Sequence, residues 1–430
     1  MQDRKGLTSK YLAYITLAGV SILACVVTGR LEFVLVGLPF VVALGLRVLE
    51  RMEPDYSVEL EPVRSRWFEG ETAIVRARVS TRTHLPLLEV NHVVLHGADE
   101  PRTAERIVVS MNTGDVRDLT FEMALPSRGA YILGQLECRV LSGAGLVWSG
   151  YRSVPGTQIF VYPEVREVRF SRGSARRTRL YNGDYTSRTP GEGIDLSGVR
   201  EYASGDATRQ VNWRVSSRWA SLFVNERLQE RNMDVVILVD SLRDVGPAAY
   251  TALDSAARAA ASIALHYLKR KDRVGFIEYG GTMAWTTPQA GKRQFYVILE
   301  RLARMRVFES YAFREIGAIP KRVLPPGALV IAFTPLLDSR SVQMLQDLAA
   351  RGFDPVVVYV SAVTHAESLI GLSPAEQVAK RWWAMEQRAK IVGLLRVGLS
   401  VVEWDGAGPI DSCLGPLLSR GTQRVQQVGF

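Results

Sequence analysis

Residues Tyr11–Thr28 form an apolar run without a charge, and Leu31–Leu49 form a second, broken only by Glu32 near its start and Arg47 near its end. A segment surrounded by hydrocarbon must satisfy every backbone N–H and C=O within itself, which leaves helices and closed barrels. About 20 apolar residues, with a range of about 17–25, cross the hydrocarbon core as a helix. Both runs meet that length narrowly, and only Gly29 and Arg30 separate them. The expectation is therefore a tight transmembrane helical hairpin, residues 1–52, that meets the bilayer through residues 11–49. A cleaved signal peptide is disfavoured, because a second apolar run follows at once and no small-residue cleavage site precedes a soluble region. Arg4, Lys5 and Lys10 precede the first run, Arg47 and Arg51 end or follow the second, and the connecting loop carries only Arg30. Positive charge favours the cytoplasmic side. The reading is a cell-membrane protein with two helices and with its remaining domains in the cytoplasm.

Cysteine usage agrees with that side. Cys25, Cys138 and Cys413 are far apart, odd in number and without CxxC spacing, which excludes a disulfide framework and a zinc site of the usual spacing. His92 and His96 lie in VNHVVLHG, which reads as a strand; they share a face there, but nothing acidic or sulfurous completes a metal set. The chain has 53 Lys+Arg against 44 Asp+Glu, and much of the excess falls in one run: Arg166, Arg169, Arg172, Arg176, Arg177 and Arg179, with only Glu167 among them. A solvated linker face is the plain reading. The alternative is an anionic-lipid or nucleic-acid binder acting through the Arg166–Arg179 run. No aromatic interleaving or nucleic-acid motif accompanies it, and no nucleic-acid partner is expected.

From residue 53 to 163 the pattern changes. Tyr56–Glu61 and Thr72–Val79 alternate, and Glu89–Leu95, Arg106–Ser110, Leu119–Leu125, Gln135–Leu141 and Gln158–Tyr162 are further short β-rich runs punctuated by Gly, Pro, Asn and Asp. Such spacing predicts an antiparallel β-sandwich. Residues 164–233 read as the basic linker and a polar, aromatic segment. From 234 onward strands and helices alternate. Strands are expected at Asp234–Val239, Arg273–Tyr279, Met283–Thr287, Ala328–Phe333, Pro355–Val360 and Val397–Trp404. Helices are expected at Pro247–Arg270, Gln294–Met305, Ser339–Arg351 and from Ser373-Pro374 to about Lys390. That alternation predicts a doubly wound α/β domain over 234–430 with a mostly parallel sheet.

The segment between Gly191 and Asp240 orders rare residue types: Arg200-Glu201-Tyr202, Gly205-Asp206, Asn212-Trp213-Arg214 and Asn225-Glu226, then Val235–Val239 closed by Asp240. This order resembles the signature of the membrane-associated domain of unknown function 58 family, whose last domain looks like a von Willebrand factor A (vWA) fold. Pro126-Ser-Arg-Gly-Ala-Tyr131 followed by Gly143-Ala-Gly-Leu-Val-Trp148 resembles a second signature of that family. The polar signature residues suit a folded extension held by Arg–carboxylate pairs, with partner docking as the alternative. In the long helix after Ser373, adjacent Trp382 and Trp383 cannot both face one core direction, so one of them is expected at the surface.

A vWA resemblance implies a metal-ion-dependent adhesion site beyond the carboxyl ends of the strands. Its pattern is Asp-x-Ser-x-Ser, a later Thr, and an Asp after the fourth strand, which supply hard oxygens to Mg²⁺. Here Asp240 matches, but Leu242 and Asp244 occupy the two Ser positions, Phe333-Thr334-Pro335 stands where Ser-Asp is usual, and Asp338 lies three residues beyond Pro335. Asp240 and Asp244 are the remaining metal candidates of a degenerate site, and no cofactor is expected. The plain alternative is that Asp240 hydrogen-bonds its own loop.

No Walker motif, GxGxxG, GxSxG or HExxH is present, so the chain brings no ATPase or hydrolase pattern of its own. The expectation is a non-enzymatic, membrane-anchored interaction protein. Its vWA-like domain would dock a partner near Asp240, Arg243 and Asp244. The family resemblance points to a MoxR-type AAA ATPase engaged in complex assembly or maturation. A metal-dependent hydrolase with Asp240 as nucleophile is the alternative from another class; Leu242 stands where a haloacid dehalogenase pattern needs its second Asp.

Overall fold

In a computed structural model the described residues are 6–49, 54–61, 64–96, 102–142, 145–168, 196–227, 233–308, 316–371 and 373–419. Arg169–Arg179 of the basic run lie outside them, as do the side chains of His96 and Glu226. The chain divides into two units, Met1–Glu164 and Val165–Phe430.

In the first unit a short strand β1 (Gly6–Leu7) leads into α1 (Ser9–Thr28) and α2 (Glu32–Leu49). Thr8 caps α1 by accepting from Tyr11 N, and Gly29 ends it in the left-handed region at φ 66°. The two helices pack where their side chains are small. Ala18 and Ser21 are buried, and a Cβ added at Gly37 would lie 2.8 Å from the Ser21 Cβ. Small residues that let backbones approach are the usual means of packing helices in lipid. Among the described residues α1 is long and apolar enough to cross a membrane; the apolar stretch described in the second helix, Glu32–Gly45, is shorter, and Pro39 lies within it.

Next come β2 (Tyr56–Leu60), β3 (Arg66–Phe68), β4 (Thr72–Thr81), β5 (Leu85–His96), β6 (Arg102–Met111), β7 (Val116–Ala124), β8 (Gly129–Leu141), β9 (Val147–Trp148), β10 (Arg152–Val154) and β11 (Thr157–Tyr162). β2, β4 and β7 make one sheet, and the others, with β1, make a second. All pairs are antiparallel except β3 with β11. Ala73, Val75, Ala77 and Val79 alternate inward from β4 and share one core with Phe121, Leu88, Val90, Leu133 and Ile159. β5 and β8 run longer than the sequence suggests, because register shifts after His92 and Val93 let the ladder bend and continue. His92 is buried and accepts from Gly134 N at 3.2 Å; burial lowers its pKa. In the second recurrent signature, the Tyr131 hydroxyl donates to Ser127 O at 2.9 Å and Arg128 N donates to Glu69 at 2.8 Å.

The second unit begins with a hairpin, β12 (Leu196–Glu201) against β13 (Phe223–Arg227), whose connection contains α3 (Trp213–Trp219). The alternation then follows: β14 (Asp234–Asp240), α4 (Ala252–Lys269), β15 (Arg273–Tyr279), β16 (Ala284–Gln289), α5 (Lys292–Arg304), β17 (Leu329–Thr334), α6 (Ser339–Ala350), β18 (Val356–Val360), α7 (Ala362–Ala366), α8 (Pro374–Arg396), β19 (Ser400–Trp404) and α9 (Ile410–Ser419). The sheet order is β16-β15-β14-β17-β18-β19, parallel except for β16. Val236 and Leu238 join Met344, Leu345 and Leu348 of α6 and Leu394 of α8 in one core, while Val235, Ile237 and Val239 are as fully buried on the other face. A strand covered on both sides reads as a continuous apolar run, which is why β14 was legible. α4 starts five residues later than expected from Pro247, because Thr251 and Asp254 form a reciprocal capping box.

Candidate functional site at the end of the central strands

β14 has β15 on one side and β17 on the other, so the order of the sheet reverses between β14 and β17. The crevice beyond the carboxyl ends of the strands at such a point is where open α/β sheets bind ligands. Asp240 ends β14 there and is only 2% exposed. Its Oδ2 accepts from the hydroxyls of Thr334, at the end of β17, and Ser341, in the first turn of α6, both at 2.6 Å. Its Oδ1 accepts from Leu242 N at 3.0 Å. Burial raises the Asp240 pKa and outweighs these three donors, which act in the opposite direction.

The loop after β17 is held as firmly. Leu336 adopts the left-handed region at φ 50°, a conformation that costs a branched residue roughly 1–3 kcal/mol. Its N–H donates to Thr334 Oγ1 at 3.0 Å, and its carbonyl accepts from Lys390 Nζ on α8 at 3.0 Å. The Gln387 amide, oriented so that both its ends are satisfied, donates to the same carbonyl at 3.2 Å and accepts from Trp383 Nε1 at 3.0 Å. Trp383 is thus half-buried against the site loop, while its neighbour Trp382 is 73% exposed.

Outside this closed cluster lies an open depression of about 530 Å³ lined by Arg243, Asp244, Val245, Leu337, Asp338 and Ser339. Asp338 caps α6 and forms a two-pronged pair with Arg340, at 2.9 and 2.8 Å, which holds its carboxyl below the usual carboxylate range. Arg243 reaches Asp338 only at 3.8 Å, and its side chain is 63% exposed. Asp244 turns inward and accepts from Val245 N at 2.8 Å and Leu253 N at 2.9 Å; burial raises its pKa. Of the three residues expected at a docking surface, Arg243 faces outward, Asp244 lines the depression as part of its floor, and Asp240 lies beneath. Ser341 and Lys390 are additions that the sequence reading did not make, and Asp338, noted there for its place beyond Pro335, pairs with Arg340. The Ser339-Arg340-Ser341 segment reads locally as a helix start, and only the fold brings Ser341 back to Asp240. Among the described residues no group of three or more His, Cys, Asp or Glu is placed to hold a metal ion.

The signature residues gather in the hairpin. Arg200 Nη1 and Nη2 grip the two oxygens of Asp206 at 2.7 and 2.6 Å, and Ala203 N donates to Asp206 at 2.8 Å. Gly205 takes φ 110° in that turn. Asn212 caps α3 through Val215 N at 3.2 Å and donates to Asn225 Oδ1 at 2.8 Å, and Phe223 N donates to Ser216 Oγ at 2.9 Å. Tyr202 is half-buried, Glu201 and Arg214 are exposed, and Trp213 is 69% exposed. The family model described as "Protein of unknown function DUF58" matches residues 198–357. These residues are a DUF58 family domain. The DUF58 domain runs from β12 to β18 and so contains both the hairpin and the Asp240 cluster. Uncharacterized proteins of Mycobacterium bovis and Mycobacterium tuberculosis are 28% identical over 129 residues. The match covers 29% of this chain and 41% of theirs, so the chain spans about two fifths of the length of these curated relatives. Among solved structures, the C-terminal domain of wzt overlaps at a TM-score of 0.21 and 11% identity, covering 27% of this chain and 81% of that one. A CARDB domain from Pyrococcus furiosus overlaps at 0.18 and 17%, covering 26% and 95%. Overlaps at such scores fix neither a fold nor an activity.

Proposed function

We propose that this chain is a membrane-anchored, non-enzymatic interaction protein. The N-terminal hairpin would insert with both ends in the cytoplasm, carrying a β-sandwich and then a vWA-like domain that docks a protein partner. The depression beside Arg243 and Asp338 is the docking point, and a MoxR-type AAA ATPase is the partner that the family resemblance implies. The observation that carries this reading is the contrast at the strand ends. Asp240 is buried and engaged by three donors, whereas Arg243 stands exposed over an open depression.

The vWA resemblance also implies Mg²⁺, and the donor set does not fit it. Leu242 and Pro335 supply no side-chain oxygen, and the Thr334 and Ser341 hydroxyls are both spent on Asp240. The guanidiniums of Arg340 and Arg243 already attend Asp338. A cation that used either carboxylate would have to displace these donors from it. The same burial argues against Asp240 as a nucleophile. In this reading Arg243 meets an acidic group of the partner directly, where a metal would otherwise bridge two carboxylates.

Co-purification from detergent with a co-expressed MoxR-type ATPase tests the proposal. Arg243→Glu should weaken capture at least about tenfold, which corresponds to about 1.4 kcal/mol. Equal capture of both forms would move the interface away from the depression, and no capture of an ATPase by the wild type would remove this partner.

A further inference from the structure

α8 carries an apolar face on each of two opposite sides. Gln387 and Leu394 are buried, with Trp383 and Ile391 half-buried beside them, so this side packs on the domain. On the other side Val378, Trp382, Met385, Ala389 and Val392 are all exposed, the first three by 65–73%. At ~100° per residue these five fall within about 80° of arc, centred opposite Gln387 and Leu394. A helix that only covers a core is polar on its outer side. The five are spaced 4-3-4-3, the spacing of the a and d positions of a heptad. Trp382 and Ala389 fall at a, and Val378, Met385 and Val392 at d. Arg381 and Arg388 are then g residues, and Ala379, Glu386 and Gly393 are e residues; all five flank the seam and are exposed.

We propose that this face of α8 pairs with the same face of a second copy of the chain, the two helices running parallel about a two-fold axis. Charge selects both the occupant and the direction. In a parallel pair each g residue meets the e residue five positions on in the other helix. Arg381 thus meets the partner's Glu386, twice by symmetry. Glu386 pairs with Lys390 on its own helix at 3.1 Å and still keeps its side chain 54% exposed. In an antiparallel pair g meets g, and Arg381 would stand against the partner's Arg388, a like-charge contact that disfavours the arrangement. An unrelated partner would have to bring the complementary acid, whereas this helix already contains it. Along the seam Met385 follows Trp382, a sulfur–aromatic combination that packs well, and Arg396 takes the next a position and ends the apolar run. The seam is shorter than the about 3–4 heptads by which a free coiled coil is recognised. α8 is already folded on its domain, however, so no helix has to form on pairing. The inference requires neither the membrane anchor nor the ATPase partner.

Cysteine pairing in the full chain, purified in detergent, tests it. Cys138 is buried, so Cys25→Ser/Cys413→Ser gives a background without an accessible thiol. A cysteine at a d position meets itself in a parallel pair. Val378→Cys and Val392→Cys are each expected to form a disulfide-linked dimer with copper phenanthroline as oxidant, whereas Arg301→Cys, exposed on α5 away from the seam, is not. Arg381→Glu should lower the Val378→Cys dimer yield by at least about threefold, and adding Glu386→Arg should restore it. Residues five apart are not neighbours on one helix, so such rescue reads a contact between copies. Equal yield in Arg381→Glu would remove the charge pairing that sets the direction. Val378→Cys that links only to Val392→Cys, when the two variants are mixed, would make the pair antiparallel and overturn the proposal. A Val378→Cys thiol that reacts with maleimide but yields no dimer would remove the second copy as occupant. A thiol that resists both reagents would mean that the face is covered within its own chain, and linkage to a different protein would assign the face to that protein; either result overturns the pairing.

Discussion

The Asp240 cluster and the β12–β13 hairpin lie in one DUF58 domain and divide their residues in opposite ways. At Asp240 the hydroxyls and the carboxylate face each other in the interior, and the surface above them is left to Arg243 and Asp338. In the hairpin several polar groups also pair with each other, but the surface carries two tryptophans beside its exposed charged residues. In both places the residues that a motif singles out mostly hold the backbone. The groups available to a partner are their unpaired or exposed neighbours. A motif can thus be intact in sequence while its chemistry is spent on the fold.

The largest effect is expected where the polar pairing is most buried. Asp240→Ala strands two hydroxyls and one backbone N–H, each worth roughly 1–3 kcal/mol when left without a partner. Relief from burying a carboxyl offsets part of that. A net loss of about 3–5 kcal/mol is expected in the local opening free energy of β14 and β17, read by hydrogen exchange of the full chain. A loss below about 1 kcal/mol would mean that the cluster is not what holds the strand ends together.

The two acids at this site should also respond to pH with opposite sign. Asp240 has its pKa raised by burial, so the folded chain keeps that proton to higher pH than the unfolded one. The stability contributed by this group is full below the ordinary carboxylate range and is lost as pH rises through the raised folded value. Asp338 has its pKa lowered by its hydrogen bonds to Arg340. Its contribution is present above the ordinary range and is lost as pH falls through the depressed value. The cost of Asp240→Asn should therefore shrink from acid to neutral pH, and the cost of Asp338→Asn should grow. Unfolding of both variants over that window decides it, and parallel slopes would contradict the difference in environment.

Much of the α/β unit was legible because its signals are local. β14, β17 and β18 are continuous apolar runs, and capping residues open α8 at Ser373. Asp240 could be singled out at a strand end. Its partners carry no periodic mark: Thr334, 94 residues away, was placed near it only by the resemblance, and Ser341, 101 residues away, was not placed at all. The hairpin was read as a linker and extension for a related reason. β12 and β13 are separated by a connection that contains a helix, and their register depends on side-chain ties across it.

The smallest effects test the hairpin half of the comparison. Asn212→Ala removes a helix cap and the bond to Asn225. A lost cap costs ~1 kcal/mol and a lost neutral side-chain hydrogen bond a similar amount, so about 1–2 kcal/mol should disappear from the protection of α3 and β13. The amides of β14 should be unaffected, because that strand has its own partners in β15 and β17. Trp219→Ala, in contrast, deletes a far larger side chain that is 72% exposed. A side chain already in water contributes little burial to lose, and surface substitutions usually fall within about 0.5 kcal/mol. The smaller polar residue should therefore matter more to folding than the tryptophan seven positions along the chain. If Trp219→Ala costs more than about 1 kcal/mol in the same exchange measurement, the ring is packed in solution, and the hairpin is a core element like the Asp240 cluster rather than its opposite.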